Sequence, residues 1–329
     1  MKKSLPLLAA FFVFSLVPSL LRAERAASSF LYPACRDGKW GFVDSSGRTA
    51  LPFVWERARP FSEGLAWVWK DGKALCINRK GKTVFRFRAG NAAVGDPFRC
   101  GMSRLTRGEK TGFLNARGKV AIPPRYVTAS HFSDGLAAVK LSFAGRYFYI
   151  DKRGKRAFKA DFGLADPFSE GLAAVKRGPD SPWEYIDIKG RTAVPPRFEA
   201  AGPFSQGLAA VKLDGKWGYI DRKGAVVVEP RFDRAGEFAC GLAPVELDGK
   251  WGYITPKGEF AVRPAYDYAS SFSGGVAVVG VGGRYGLLND LGELAVQPEH
   301  ESAKLYPGAV FFPSAGFFDR AGRCFFRAR

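Results

Sequence analysis

The chain has 329 residues, with 50 Lys and Arg against 31 Asp and Glu for a formal net charge of +19, and it carries 39 glycines, five cysteines and two histidines. Two histidines without partners at ligand spacing, together with no Cys-x-x-Cys and no His-Glu-x-x-His, leave no zinc motif. No Gly-x-Ser-x-Gly elbow and no glycine-rich phosphate loop opening a helix is present either.

The first element is a leader. Lys2-Lys3, an apolar run from Leu5 to Leu21, and Leu21-Arg22-Ala23 have the form of a secretory signal peptide, with cleavage expected after Ala23. Pro6 and Pro18 interrupt the run, which falls short of the roughly 20 apolar residues a membrane span needs. The competing reading is an uncleaved anchor. Residues 1–23 are thus read as the signal peptide, 24–30 as a short linker and 31–329 as one β domain. The protein is expected to be exported, periplasmic or extracellular, with no stable membrane span after cleavage.

From residue 31 onward one pattern recurs nine times. The positions matching Trp217 are Trp40, Ala74, Thr111, Tyr147, Trp183, Trp251, Tyr285 and Ala315, about 34 residues apart. A second marker, Phe-Ser-x-Gly-Leu or a close variant, begins at Phe61, Phe132, Phe168, Phe204 and Phe272. A third is Val/Ile-x-Pro-x-aromatic, as in Val228-Glu229-Pro230-Arg231-Phe232. Such self-similarity decides the fold class before local detail does. In the clearest unit, Leu208 to Lys212 reads as a strand and Asp214-Gly215 as a hairpin turn. Trp217 to Ile220 is a second strand, and Asp221-x-x-Gly224 a turn in which the carboxylate accepts backbone N–H groups. Ala225 to Val228 is a third strand, closed by Pro230. The connector from Phe232 to Gly241 has room for a short fourth strand.

The lysine-Trp-Gly core is intact at Lys39-Trp40-Gly41, Lys216-Trp217-Gly218 and Lys250-Trp251-Gly252. In this the chain resembles the bacterial WG-repeat, or KWG-repeat, family over almost all of its length from Leu31. The resemblance implies an all-β repeat module, frequently exported, without shared catalytic residues and with a role in binding or assembly; from the residues themselves no cofactor or metal is expected. The expected fold is all-β: nine tandem three-stranded meanders stacked into an elongated superhelical array, with a closed β-propeller as the alternative. Each meander buries its apolar face only against its neighbours.

The aromatic, Asp and Gly columns are accounted for by scaffold. The five cysteines, Cys35, Cys76, Cys100, Cys240 and Cys324, leave at least one unpaired. Cys35 and Cys324 could meet only if the array closed into a ring.

Three features lie outside the scaffold. Basic residues stand before the Trp column at Lys39, Lys73, Lys110, Arg146, Lys216, Lys250 and Arg284, and before the turn glycine at Lys80, Arg117, Arg153, Lys189, Lys223 and Lys257. Columns become stripes in a stacked array, and stripes of one sign attract anionic polymers or surfaces. Trp67 and Trp69 replace the Ala and Lys of Leu-Ala-Ala-Val-Lys, and alternation places both on one strand face. They form either an exposed platform for a sugar ring or protein partner, or packing that compensates for Ala74. Finally, the hairpins Leu141 to Arg146 and Arg177 to Pro182 are lengthened on one edge.

The functional expectation is a non-catalytic exported binding module. It would contact an envelope polysaccharide or an anionic wall or lipid surface through Trp67, Trp69 and the basic columns. The alternative is a protein-interaction scaffold. A hydrolase with two converging carboxylates has no motif behind it, and no nucleic-acid motif is present.

Overall fold

The Trp-Gly pair sets the shape of each repeat. In the computed structural model, which describes residues 30–87 and 92–327, Trp217 pairs with Phe232 and Tyr219 with Val228. Two residues on one strand thus face four on the other, and the extra residues bulge outward around Pro230. A Cβ on Gly218 would collide with the Val228 carbonyl and stand 2.8 Å from the Pro230 nitrogen. Glycine is needed here for close approach, and the bulge absorbs a proline that a regular ladder would reject. Gly252 meets Val262 and Pro264 in the same way.

In two of the three repeats that lose the glycine the outer strand changes; the fifth, with Glu184 there, keeps the pairing of Trp183 with Phe198 and Tyr185 with Val194. Leu75 occupies that column in the second repeat, and its outer strand, Thr83–Phe87, runs in register opposite Ala74, Leu75 and Cys76 without the proline bulge. Phe148 occupies it in the fourth, and there the outer segment makes only two isolated bridges, Tyr147 to Phe162 and Ile150 to Arg156.

Among the described residues the strands form nine antiparallel sheets, seven of four strands and two of three. The blades span 32–55, 57–87, 92–126, 128–150, 164–198, 200–232, 234–266, 268–300 and 304–326. Most four-stranded blades run from a short inner strand, such as Arg234–Ala235, to a long outer one, such as Phe260–Tyr266. The second strands are buried on both faces: Ala209, Ala210 and Val211 are all covered.

Neighbouring blades are joined by a repeated set of contacts. The Tyr219 ring meets Phe238 of the next blade edge-on at 4.8 Å, and its hydroxyl donates to the Gly236 carbonyl at 2.9 Å. Tyr149, Tyr185 and Tyr253 repeat both contacts one blade further each time. Ser62, Ser169 and Ser205 each donate to the carbonyl of the next blade's phenylalanine. Arg125, Arg197 and Arg231 reach from one outer strand to the turn carbonyl of the following blade, at Gly154, Gly224 and Gly258. These arginines lie over their own neighbouring aromatics as well, at 5.0 Å.

The expectation of an open superhelical array is corrected by the seam between the first and last blades. Tyr32, Ala34 and Val43 of blade 1 share one buried cluster with Tyr306, Ala309, Phe317 and Phe326 of blade 9. The Tyr32 hydroxyl donates to the Pro307 carbonyl at 3.0 Å. Phe53 stacks on Phe326, with Arg36 over both rings. An open array needs polar caps on its terminal repeats. Here both terminal faces are aromatic, and they cover each other. The repeats therefore form a closed β-propeller, and the short inner strand in the connector supplies the fourth strand that three-stranded meanders lack.

The expected leader, residues 1–23, and residues 24–29 of the linker lie outside the described residues. Among the described residues no helix is long and apolar enough to cross a membrane. All five cysteines are free, so the closed seam does not join Cys35 to Cys324.

Candidate binding surfaces

Ring closure sorts the loops onto two faces. The hairpins between second and third strands share one face with the links from each outer strand to the next inner strand. The turns between third and outer strands share the other with the Phe-Ser-x-Gly turns.

Lys39, Lys73, Lys110, Arg146, Lys216 and Lys250 are all exposed on the hairpin face, at or just before the start of the third strands. They are not equivalent. The Lys216 ammonium bonds the Asp233 carboxylate at 2.6 Å, and Lys250 bonds Asp267 at 2.5 Å. Those hydrogen bonds raise the Lys216 pKa and lower those of Asp233 and Asp267. The two carboxylates also accept from the Asp248 and Gly282 amides of the next hairpin. Arg146 turns toward the Asp161 and Arg177 carbonyls. Lys39, Lys73 and Lys110 make no ion pair among the described residues. The expected uniform stripe is thus compensated in blades 6 and 7 and open in blades 1 to 3.

The expected exposed pair of tryptophans is corrected. Trp67 is 1% exposed. Its indole stacks on Phe98 at 5.9 Å, meets Phe85 edge-on, and donates from Nε1 to the Asp96 carbonyl at 3.0 Å. Trp69 is half-buried beneath the Arg57 guanidinium, 5.0 Å from its ring. Both side chains pack around Ala74 and Cys76, the second repeat's replacements for Trp and Tyr. The compensating reading holds for Trp67, while Trp69 keeps a partly open side that lines a cavity with Trp40, Arg57 and Lys304.

The two lengthened hairpins stand side by side, joined by Arg146 on the Arg177 carbonyl. Phe143 at the tip of the first is 70% exposed and Leu141 is 55% exposed. Beside them lies a residue that the column reading passed over. Glu184 occupies the glycine column of blade 5 and is 1% exposed. Its carboxylate lies 2.6 Å from Arg177 Nε and accepts from the Thr192 hydroxyl at 2.8 Å. The signal was in the sequence: Trp183 is followed by Glu where its counterparts Trp217 and Trp251 are followed by Gly.

The turn face is built by an Asx turn. Asp221 Oδ1 accepts from the Lys223 and Ala225 amides at 2.9 Å, and Gly224 closes the turn at φ +85°. The acceptor side chain folds inward, so the second and third turn residues project into solvent.

Two cavities of about 340 and 320 Å³ lie between blades 2 and 3, beside Arg59, Trp67 and Asp96, and between blades 8 and 9, beside Tyr268, Tyr285 and Glu301. Burial pushes the Asp166 and Glu237 carboxyls up and the His131 imidazole down. These three stand on three different blades. Among the described residues no group of three His, Cys, Asp or Glu is placed to hold a metal ion.

Comparison with known proteins gives a family and a fold. A family model described as a WG containing repeat matches residues 40–73, 112–142, 147–178, 185–217, 217–251 and 251–285, more than half of the chain. The second half of blade 2, from Ala74 through Cys76 to Phe87, falls outside the match. No curated protein matches the chain at a significant level. Among solved structures, a crystal structure described as the eukaryotic initiation factor superposes with a TM-score of 0.63 at 12% identity, over 89% of this chain and 94% of that one. BamB from Moraxella catarrhalis gives 0.41 at 12% identity, over 79% and 88% of the two chains. Kluyveromyces lactis Hsv2 gives 0.43 at 11%, over 69% and 90%. At these identities the first likeness shows the fold alone.

Proposed function

The chain belongs to the WG-repeat family, and from that premise we propose that it is a non-catalytic, ring-shaped binding module of the cell envelope, exported to the periplasm or beyond. The observation that carries this reading is how the chemistry-bearing columns are used. The tyrosine hydroxyls, the serines, the turn aspartates and the outer-strand arginines are engaged in bonds within and between blades. What is left uncompensated is positive charge at the surface. A rigid ring that spends its polar groups on itself and presents unpaired cations suits the capture of an anionic polymer at the envelope. Neither a cofactor nor a metal enters this reading, and nucleic acid is not the expected partner of an exported protein.

The test is retention of the purified protein on envelope fractions at graded salt. Retention that falls as salt rises supports the proposal. Absence of salt-sensitive retention on every fraction sinks it.

A second reading, a protein-interaction scaffold, is favoured by Phe143 and Leu141 at the tip of a lengthened hairpin. Exposed apolar side chains beside basic ones resemble the anchors of protein interfaces. Cross-linking in cells that captures one dominant protein partner, lost on Phe143→Ser, would favour it over polymer binding.

A further inference from the structure

We infer that the turn face from blade 2 to blade 6 is the edge that binds the polymer, and that the polymer is a linear acidic polysaccharide. The inference deepens the proposed binding role and rests on it. The argument begins with the Asx turn, whose geometry leaves its second and third residues projecting. In blade 2 these are Arg79 and Lys80, in blade 3 Arg117, with Ala116 packed inward, and in blade 4 Lys152 and Arg153. Blade 5 presents Ile188 and Lys189, and blade 6 Arg222 and Lys223. One residue past the turn glycine, Lys82, Lys119, Lys155 and Arg191 add a second row of exposed cations.

Carboxylates compensate them only in part: Glu63, Asp134 and Glu170 share this face but accept from amides of the next blade. Blades 2 and 3 begin their turns with Asn78 and Asn115, which accept the same backbone bonds as aspartate without a charge. Lys80, Lys82, Arg117 and Lys119 make no ion pair among the described residues, and neither do Lys189 and Lys223. Arg153 and Arg191 pair with the aspartate of their own turn, and Arg222 leans toward Glu170 at 3.7 Å. Beyond the arc carboxylates offset the cations. Glu259 follows Lys257 in blade 7, blade 8 presents Asp290 and Glu293, and in blade 9 Arg320 and Arg323 stand beside Asp290 and Asp319. The uncompensated cations therefore form an arc along one side of the ring.

The shape of the arc selects the occupant. A planar anionic membrane laid on this face would meet the acidic turns of blade 8 together with the basic ones, and only Ile188 in the arc offers an apolar side chain at a turn tip. Surface attachment by charge alone is weak, and stable anchoring takes a second signal. A linear polymer can follow the arc and avoid the acidic blades. Just beyond the cations, Val84 and Val120 on the outer strands are 45% and 48% exposed. Those side chains suit the carbon face of a sugar ring, so the match is to a charged polysaccharide.

The experiment measures binding of fluorescein-labelled polygalacturonate to the full chain by anisotropy. Salt is raised from about 25 to about 300 mM NaCl, over which the Debye length falls from roughly 20 to roughly 6 Å. The expected result is salt-sensitive binding, weakened roughly tenfold or more by the combined Lys80→Gln, Arg117→Gln, Lys189→Gln and Lys223→Gln variant, since a charged edge governs encounter. The control is Lys70→Gln and Arg107→Gln, two exposed cations at the hairpin ends of their strands on the opposite face, expected to change affinity by less than about twofold. All of these residues are exposed, and an unchanged thermal midpoint confirms that each variant folds. Equal losses in the two variants would overturn the arc while leaving a basic binding protein. Tighter binding to vesicles of anionic phospholipid, or to duplex DNA, would replace the polysaccharide with that partner. No binding to any of the probes or to envelope fractions would overturn the binding role itself.

Discussion

Trp67 stacks on Phe98 at 5.9 Å, with their planes 15° apart, where other blades set a tyrosine edge-on against the equivalent phenylalanine. The tyrosine column holds Cys76 in blade 2, which leaves Phe98 without its aromatic neighbour. Trp67, from the adjacent strand of the same blade, fills the space. Its Nε1–H donates to Asp96, the carbonyl two residues before Phe98, while the tyrosine hydroxyls donate to the carbonyls two residues before theirs, at Asp166, Gly202, Gly236 and Ser270. One indole thus supplies both the ring and the donor that Cys76 cannot.

The expected consequence is that Trp67→Ala destabilises the ring by about 3–5 kcal/mol, the usual range for deleting a large buried aromatic. Urea unfolding reads the loss. Adding Cys76→Tyr to Trp67→Ala restores a ring and a hydroxyl at the same interface and recovers more than half of the loss. A double variant no more stable than the single one would show that the two positions do not share one role.

Gly218 makes a second prediction. Its φ is ordinary, so a side chain is excluded by the Val228 carbonyl and Pro230 nitrogen rather than by backbone strain. Gly218→Ala should cost about 1–3 kcal/mol, as overpacking does. Lys223→Ala, at an exposed turn position of the same blade, should stay within about 0.5 kcal/mol of the parent. Equal thermal midpoints for the two variants would refute the close-approach account.

The bulge, the turns and the aromatic columns were legible because they repeat, and repetition separates scaffold from exception. The Trp67 environment was harder to read. Alternation correctly placed Trp67 on the face that carries Ala210, and the Lys212 two residues on suggested solvent. In a closed ring the second strand is buried on both faces, so period two no longer separates inside from outside. Ala210 is itself 5% exposed, and Lys212 lies at the strand's edge. Closure was not legible either. It depends on Tyr32 meeting Tyr306 and Phe317 across the full length of the chain, and neither end of the sequence records the other. Nor could the basic columns report their neutralisation, because Asp233 and Asp267 stand 17 residues from the lysines they bind.

The cysteines should label in a set order. Cys240 is exposed, whereas Cys76 is buried and its thiol is pushed up to about 12 by that burial. Only thiolate reacts readily. A disulfide reagent at mildly alkaline pH should therefore modify Cys240 in a fast phase that disappears in Cys240→Ser, and reach Cys76 only in denaturant. Modification of Cys76 in the folded chain at the rate of Cys240 would contradict the packing around Trp67.

The seam between the terminal blades should open in alkali. Burial raises the Tyr32 hydroxyl from 10.0 to about 12, with the Asp319 carboxylate adding to the effect, and burial raises Tyr306 to about 12. Both hydroxyls are protonated in the folded and unfolded chains below pH 10, so their contribution is complete there. Between about pH 10 and about pH 12 the unfolded chain releases protons that the folded ring retains, and each group costs about 1.4 kcal/mol per pH unit. Stability should therefore fall as pH rises through this window. Tyr32→Phe removes one titrating group and the bond to the Pro307 carbonyl together. The variant is expected to be less stable than the parent at neutral pH by about 1–3 kcal/mol, since a buried carbonyl loses its donor. Its stability should then decline less steeply between pH 10 and 12. Parallel pH profiles for variant and parent would show that Tyr32 does not titrate at the seam.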